Sequence, residues 1–200
     1  MKIATVGAGI GGPTLALALR QHGIEAHIYE QAATLTEIGA AAALSANATR
    51  ELQRLGLMPA LQAVSTEPNE LIFRDGRTGA RVPAHPVREA GQYREGFGAP
   101  YFGVHRADLQ QFLSGAFGQT GLYLAHRLVL IERDGAGMRL AFPNGRTEHA
   151  DLVIGADGVR SVVRICVTGG TGTWRAPTSG SSHNQRAGQR PSVRPSPPTG

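Results

Sequence analysis

Residues 3–30, IATVGAGIGGPTLALALRQHGIEAHIYE, decide the fold. Ile3 to Val6 is a short apolar run with β-branched members, stopped at once by Gly7, which is the pattern of a buried strand. Leu15, Ala16 and Leu19 then recur at helical spacing as far as His22-Gly23, where a glycine suits the end of a helix. Pro13 falls in the first turn of that helix, where its missing N–H removes no intrahelical bond. Ala26 to Tyr29 is a second short strand. Strand, helix and strand within about 30 residues make a β-α-β unit, and because parallel strands need a crossover the unit predicts a parallel sheet.

Within that unit Gly7-x-Gly9-x-x-Gly12 has the spacing of a dinucleotide-binding loop. Gly7 allows the tight turn, Gly9 lets backbone approach a pyrophosphate, and Gly12 permits close helix–strand packing. Ala8 and Gly11 complete the loop, and the helix N-terminus behind it offers N–H groups and a partial positive charge to an anion. Glu30 ends the second strand at about the 20-residue separation expected of the acid that accepts hydrogen bonds from ribose hydroxyls. A carboxylate there repels a 2′-phosphate, which argues against NADP at this site. A strand-end acid of this kind is expected to contribute little to stability. The spacing alone leaves NAD and FAD both open, since each carries an ADP half, and a plain glycine-rich turn beside a surface glutamate is the alternative without function.

Two hundred residues hold one domain with a real core plus a remainder. The formal net charge is +5, but residues 167–200 carry Arg175, Arg186, Arg190 and Arg194 and no acid, so the rest is near neutral and no nucleic-acid partner is expected. Cys166 is the single cysteine, which excludes an internal disulfide and any multi-cysteine metal site and fits a cytoplasmic setting. The seven histidines lack ligand spacing, so no metal is expected. The N-terminus lacks the apolar core of a signal peptide, and no run approaches the roughly 18 apolar residues of a membrane span.

Downstream, Asn47 to Leu55 reads as a helix with Asn47 as N-cap and Gly56 as its stop, preceded by the small residues Gly39 to Ala43. Glu70 to Val82 reads as strands about the turns Asp75-Gly76 and Thr78-Gly79, opening a second, antiparallel sheet. Arg106 to Phe117 is helical, with Leu109, Phe112, Leu113 and Ala116 on one face. Leu122 to Glu132, Met138 to Phe142, Arg146 to His149 and Asp151 to Ile154 are expected strands, the middle two joined as a hairpin through Pro143-Asn144-Gly145. After Cys166 glycine, proline, serine and arginine dominate, no period survives, and residues 167–200 are expected to be a disordered low-complexity tail.

Five segments, GAGIGG (7–12), IYEQ (28–31), TEIGAAAALSANATRELQRLGL (36–57), HRADLQQFL (105–113) and DLVIGADGVRSVVR (151–164), occur in one order. In that order and spacing the chain resembles the single-component FAD-dependent aromatic hydroxylases, over residues 1–166, most of all the salicylate hydroxylase and 3-hydroxybenzoate 6-hydroxylase branch. The resemblance implies an α/β architecture: a three-layer Rossmann-like FAD-binding domain interleaved with the start of a β-rich substrate domain, about 70–105 being the insert. It implies Gly7, Ala8, Gly9, Gly11, Gly12 and Glu30 at the ADP half of FAD, Arg106 at the phosphate and ribityl region, Val129 with its backbone toward adenine, and Asp157 of GADG in FAD and NAD(P)H handling. Surface, core or turn roles remain the alternatives for Arg106, Val129 and Asp157.

The implied reaction is reduction of FAD by NAD(P)H as co-substrate, activation of O2, and hydroxylation of a small phenolic or aromatic acid. No catalytic side chain and no oligomeric state follow. In those enzymes GADG is followed by more substrate-domain sheet and a Gly-Asp stretch that closes around the flavin, and residues 167–200 hold neither. The sequence is therefore read as a truncated N-terminal portion, from a shortened or out-of-frame coding sequence. A non-catalytic nucleotide-binding remnant and an NAD-dependent dehydrogenase stand as the other readings, the second leaving HRADL and GADG unexplained.

Overall fold

The computed structural model describes residues 1–35, 40–82, 85–87, 91–168 and 173–175. The β-α-β unit forms as the periodicity predicts: β1 (Ile3–Val6), α1 (Gly11–Gln21) and β2 (Ala26–Tyr29). Gly23 takes φ +69° beyond the helix end, the conformation a glycine was expected to supply there. The chain continues through β3 (Ala41–Leu44), α2 (Ala46–Arg54), α3 (Met58–Ala63), β4 (Ser65–Thr66), β5 (Glu70–Leu71), β6 (His85–Pro86), α4 (Gln92–Phe97) and β7 (Phe102–His105). It returns by α5 (Arg106–Phe117), β8 (Leu122–Tyr123), β9 (Leu130–Asp134), β10 (Gly137–Ala141), β11 (Thr147–Ala150) and β12 (Leu152–Gly155), and ends in α6 (Val162–Thr168) and β13 (Thr173–Arg175).

The first sheet is parallel, in the order β12-β1-β2-β8. Its central strands β1 and β2 are buried on both faces, and side-chain alternation sends each set of residues to a different layer. Ile3, Ala26 and Ile28 pack with Ala16 of α1 and Phe117 of α5, whereas Ala4, Val6 and Tyr29 pack with Ile131, Leu140, Phe142 and Ala150. Helices thus cover one face and the antiparallel sheet β11-β10-β9-β13 covers the other. Burial on both sides is why β1 reads as a continuous apolar run rather than an alternating one. A further core joins Leu52, Leu61, Leu109 and Leu113 to Phe102 and Val104 of the sheet β3-β7-β4, and a fourth holds Ala46, Val87, Tyr93 and Ala99.

The α/β class, the three layers and the added antiparallel part agree with the sequence, and four local expectations need correction. Leu122 to Glu132 is two strands in two sheets, because Ala125 turns left-handed (φ 54°) and the N–H groups of Ala125 and His126 go to Ala32 O (2.9 Å) and Glu30 O (2.7 Å). The chain crosses there from the parallel sheet to the antiparallel one. The N-cap of α2 is Ser45, whose carbonyl accepts from Ala48 and Thr49, so Asn47 already lies in the helix. Ala41 to Leu44, read only as small residues, pairs with β7. Between Glu70 and Val82 the strand is Glu70–Leu71, and the expected pairing about Asp75 is reduced to one antiparallel bridge, Arg74 to Arg81, with the Val82 N–H donating to Phe73 O (3.0 Å), while Asp75 builds the turn by accepting from the N–H groups of Arg77 and Thr78.

The disordered tail expected from residue 167 does not begin there. Val167 and Thr168 lie in α6, and residues 173–175 pair with β9, a strand edge supplying backbone partners that the composition could not reveal. The rest of that expected tail, and Thr36 to Gly39 of the matching segments, lie outside the described residues.

Two predictions follow from the packing. A β-carbon on residue 12 would stand 2.0 Å from the Gly7 carbonyl oxygen, whereas one on residue 11 meets nothing within 4 Å. Gly12→Ala should therefore lower the unfolding free energy by about 3 kcal/mol or more and Gly11→Ala should change it little, as urea denaturation will measure. Glu148 accepts from Lys2 Nζ (2.9 Å), and that bond holds its carboxyl below the usual range. A depressed folded-state value gives stability that is complete above about pH 4.3, the ordinary glutamate value, and that fades as pH falls through the lower one. Lys2→Met should lower the neutral plateau slightly and leave the acid limit nearly unchanged, so that the acid side of the stability profile flattens.

Candidate nucleotide site

The carboxyl ends of β1, β2 and β12 meet at a cavity of about 650 Å³. Ligands of open α/β sheets bind at this edge, where the chain leaves the first strand in one direction and returns on its other side. Gly7 makes the meeting possible. It has φ +105°, its N–H donates to Tyr29 O (2.8 Å), and a β-carbon on it would come within 2.5 Å of the Ala156 carbonyl oxygen. Gly9 borders the cavity and a β-carbon there would meet no atom within 4 Å, so this position faces open space. Gly12, by contrast, works entirely inward against Gly7.

Glu30 is fixed rather than free. Oε2 accepts from the Ala8 N–H (2.7 Å) and Oε1 from the Ala32 N–H (2.8 Å), so the carboxylate ties the glycine loop to the end of β2. The expectation that it contributes little to stability is corrected by those two charge-assisted bonds. Ala8 is fully buried and its carbonyl accepts from Gln110 Nε2 (3.0 Å), a side chain of α5. Arg106 opens α5 with its N–H to Ala40 O (3.3 Å) and borders the cavity.

Asp157 follows β12, and its Oδ2 accepts from the N–H groups of Val162 (2.7 Å) and Val163 (3.2 Å), which caps α6. Its Oδ1 is buried with no hydrogen-bond partner among the described residues. Burial pushes the phenol of Tyr29, on the cavity wall, above its usual range, so it stays protonated at any ordinary pH.

The structure brings Gly7, Gly9, Glu30, Arg106 and Asp157 to one cavity. Ala8, Gly11 and Gly12 do not border it, Ala8 and Gly12 being buried and Gly11 exposed. Val129 does not border it: its N–H is taken by Ala141 O (3.0 Å) of the neighbouring strand, and Arg127 and Leu128 border the cavity instead. Sequence reasoning missed Gln110, His126 and Leu128. Gln110 did carry a signal, being the polar residue one turn after Arg106 on a face otherwise built of Leu109 and Leu113. His126 and Leu128 carried none, since only the crossing between sheets brings them to the site.

A glycine turn at the end of the first strand, an acid at the end of the second and a two-sided sheet define a Rossmann-type nucleotide-binding protein. The chain belongs to the FAD-binding domain family, which matches residues 1–176. It is 38% identical over 167 residues to the 3-amino-4-hydroxybenzoate 2-monooxygenase of Streptomyces cremeus, covering 84% of this chain and 42% of that one. It is 34% identical over 167 residues to the 3-hydroxybenzoate 6-hydroxylase of Polaromonas naphthalenivorans, covering 82% and 41%. Among solved structures, Klebsiella pneumoniae HpxO complexed with FAD and uric acid superposes with a TM-score of 0.72 at 30% identity, over 82% of this chain and 41% of that one. The chain thus spans about two fifths of the length of these relatives. No helix among the described residues is long and apolar enough to cross a membrane.

Because Glu30 holds two backbone donors, Glu30→Ala should lower stability by about 1–3 kcal/mol. Glu30→Gln, which keeps an acceptor but loses the charge, should fall between the two; thermal melts of the three proteins will rank them.

Proposed function

We propose that this chain is the FAD-holding part of a flavin-dependent monooxygenase that takes electrons from NAD(P)H and one oxygen atom from O2 to hydroxylate a small aromatic acid. The observation that carries the reading is the open space at Gly9, set between Glu30 and Asp157 at the edge of the sheet. That position is a cradle which any side chain would narrow, and the cavity lies within the roughly 300–1,000 Å³ range of small-molecule and cofactor sites. Loop N–H groups at the start of α1 suit a pyrophosphate, since the first turn of a helix has no internal partners for them. Glu30 keeps acceptor capacity after binding Ala8 and Ala32, because a carboxylate has about four lone-pair sites, and it would hold the ribose hydroxyls. Arg106 would face the phosphate and ribityl region, and Asp157 Oδ1 would accept from the far part of the cofactor. The residues present therefore fit FAD.

When bound, FAD supplies the electron transfer and oxygen activation. The chain's own part is to bind, orient and shield. Glu30 fixes the loop before any ligand arrives, so little backbone ordering remains at binding. The antiparallel sheet closes one side of the nucleotide layer and α5 the other. The names of the relatives, hydroxylases of substituted benzoates, support a small aromatic acid as substrate. The single cysteine supports a reducing, cytoplasmic setting.

The test is titration of the purified chain with FAD, followed by flavin fluorescence. Binding is expected, and Gly9→Val should weaken it by about tenfold or more, a loss of about 1.4 kcal/mol, with the melting temperature nearly unchanged. Absence of FAD binding by the unaltered chain would overturn the reading.

A further inference from the structure

We infer that Arg127 lays its guanidinium against the adenine of the bound dinucleotide and so makes the site prefer an adenine dinucleotide over a flavin mononucleotide. The inference rests on the nucleotide reading above and assigns a role to a residue that the glycine loop and the acid do not cover. Arg127 borders the cavity, is exposed, and has no hydrogen bond or ion pair among the described residues. Its position is built, not accidental. The N–H groups of Ala125 and His126 donate to Ala32 O and Glu30 O, which pins this segment against the end of β2 beside the ribose acid. Ala125 takes a left-handed conformation to make the crossing, a local cost that a non-glycine residue bears only where the surroundings hold it.

The neighbours of Arg127 border the same cavity but are buried. His126 is buried, with Nδ1 at 2.6 Å from Leu124 O and its ring 5.0 Å from that of Phe142, and Leu128 is buried in the core between the sheets. All three residues border the cavity, His126 and Leu128 from the buried side and Arg127 from the exposed rim, where its guanidinium is open to a ligand. Glu30, the nearby acid, is held by the Ala8 and Ala32 N–H groups and forms no ion pair with Arg127. A planar cation without a partner among the described residues, on the side of the cavity away from the glycine loop's helix and next to the acid that would hold the ribose, is matched to the π face of the base, on which guanidinium groups stack. Arg106 begins α5 and Arg160 follows β12, on the opposite side of β1 from β2, so neither duplicates this position.

The experiment titrates FAD, ADP and FMN into the unaltered chain and into Arg127→Ala, Arg127→Lys and Arg127→Trp, with thermal melts as a check that the exposed replacement leaves folding intact. Arg127→Ala should weaken FAD and ADP by about fivefold and leave FMN unchanged, since a cation–π contact at an exposed site is worth about 1 kcal/mol. Arg127→Trp, which keeps a stacking plane without charge, should restore FAD affinity to within about twofold. Arg127→Lys should recover less than Trp. Equal FAD affinity for the unaltered chain and Arg127→Ala would overturn the inference, as would an equal loss for FMN. Full rescue by Lys with none by Trp would also overturn it, because charge alone would then be at work. Binding of ADP but not FAD by the unaltered chain would sink the monooxygenase reading while the ADP series still decides Arg127.

Discussion

Everything at the nucleotide edge depends on the absence of a β-carbon at residue 7. The Ala156 carbonyl oxygen stands 2.5 Å from where that carbon would be, while the Ala156 N–H donates to Val6 O at 2.8 Å. The end of β12 can therefore fold directly over the end of β1, which places Asp157 opposite the glycine loop. Gly12 makes the second close approach, bringing α1 onto the Gly7 carbonyl. A third constraint locks the loop between them: Glu30 takes the Ala8 N–H and Gln110 gives its amide hydrogen to the Ala8 carbonyl. Both polar groups of one fully buried residue are thereby satisfied from β2 and α5, as buried backbone requires.

The layers explain why the strands carry so little polarity. Tyr29 ends β2 stacked between Tyr123 and Phe142, with ring centroids 5.1 Å away on each side. That stack joins the parallel sheet to the antiparallel one at the cavity wall. Offset aromatic pairs contribute about 0.5–1.5 kcal/mol beyond their buried area, so the wall is stiff where a ligand would press on it. On the opposite face small residues such as Ala16 and Ala26 let α1 lie close to the sheet.

The fold was legible where a local rule had a single outcome. Gly7, Gly12 and the run from Ile3 to Tyr29 announce their conformation by spacing, and α5 was bounded correctly because its apolar face and its ends agree. Legibility failed where tertiary partners decide. Leu122 to Glu132 has the composition of one long strand, and only the hydrogen bonds of Ala125 and His126 to the end of β2 divide it. The same division brings Arg127 and Leu128, rather than Val129, to the cavity lining. Ala41 to Leu44 has no β propensity to speak of and becomes a strand because β7 offers it an edge. Gln110 could have been found as a polar intrusion on an apolar helix face. Its partner, a backbone carbonyl about a hundred residues away, could not.

The two acids of the site each serve the fold before they serve a ligand. Glu30 divides its oxygens between Ala8 and Ala32, and Asp157 spends Oδ2 on the first turn of α6. Held in this way, neither carboxylate can swing, and a ligand meets acceptors already in position, which reduces the ordering that binding must supply. The arrangement leaves one oxygen unsatisfied. Among the described residues Asp157 Oδ1 is buried without a partner, beside Gly155, where a β-carbon would approach it to 3.2 Å. A buried acceptor left empty costs about 1–3 kcal/mol, so the folded chain carries that penalty at the end of β12, next to the cavity that Asp157 borders.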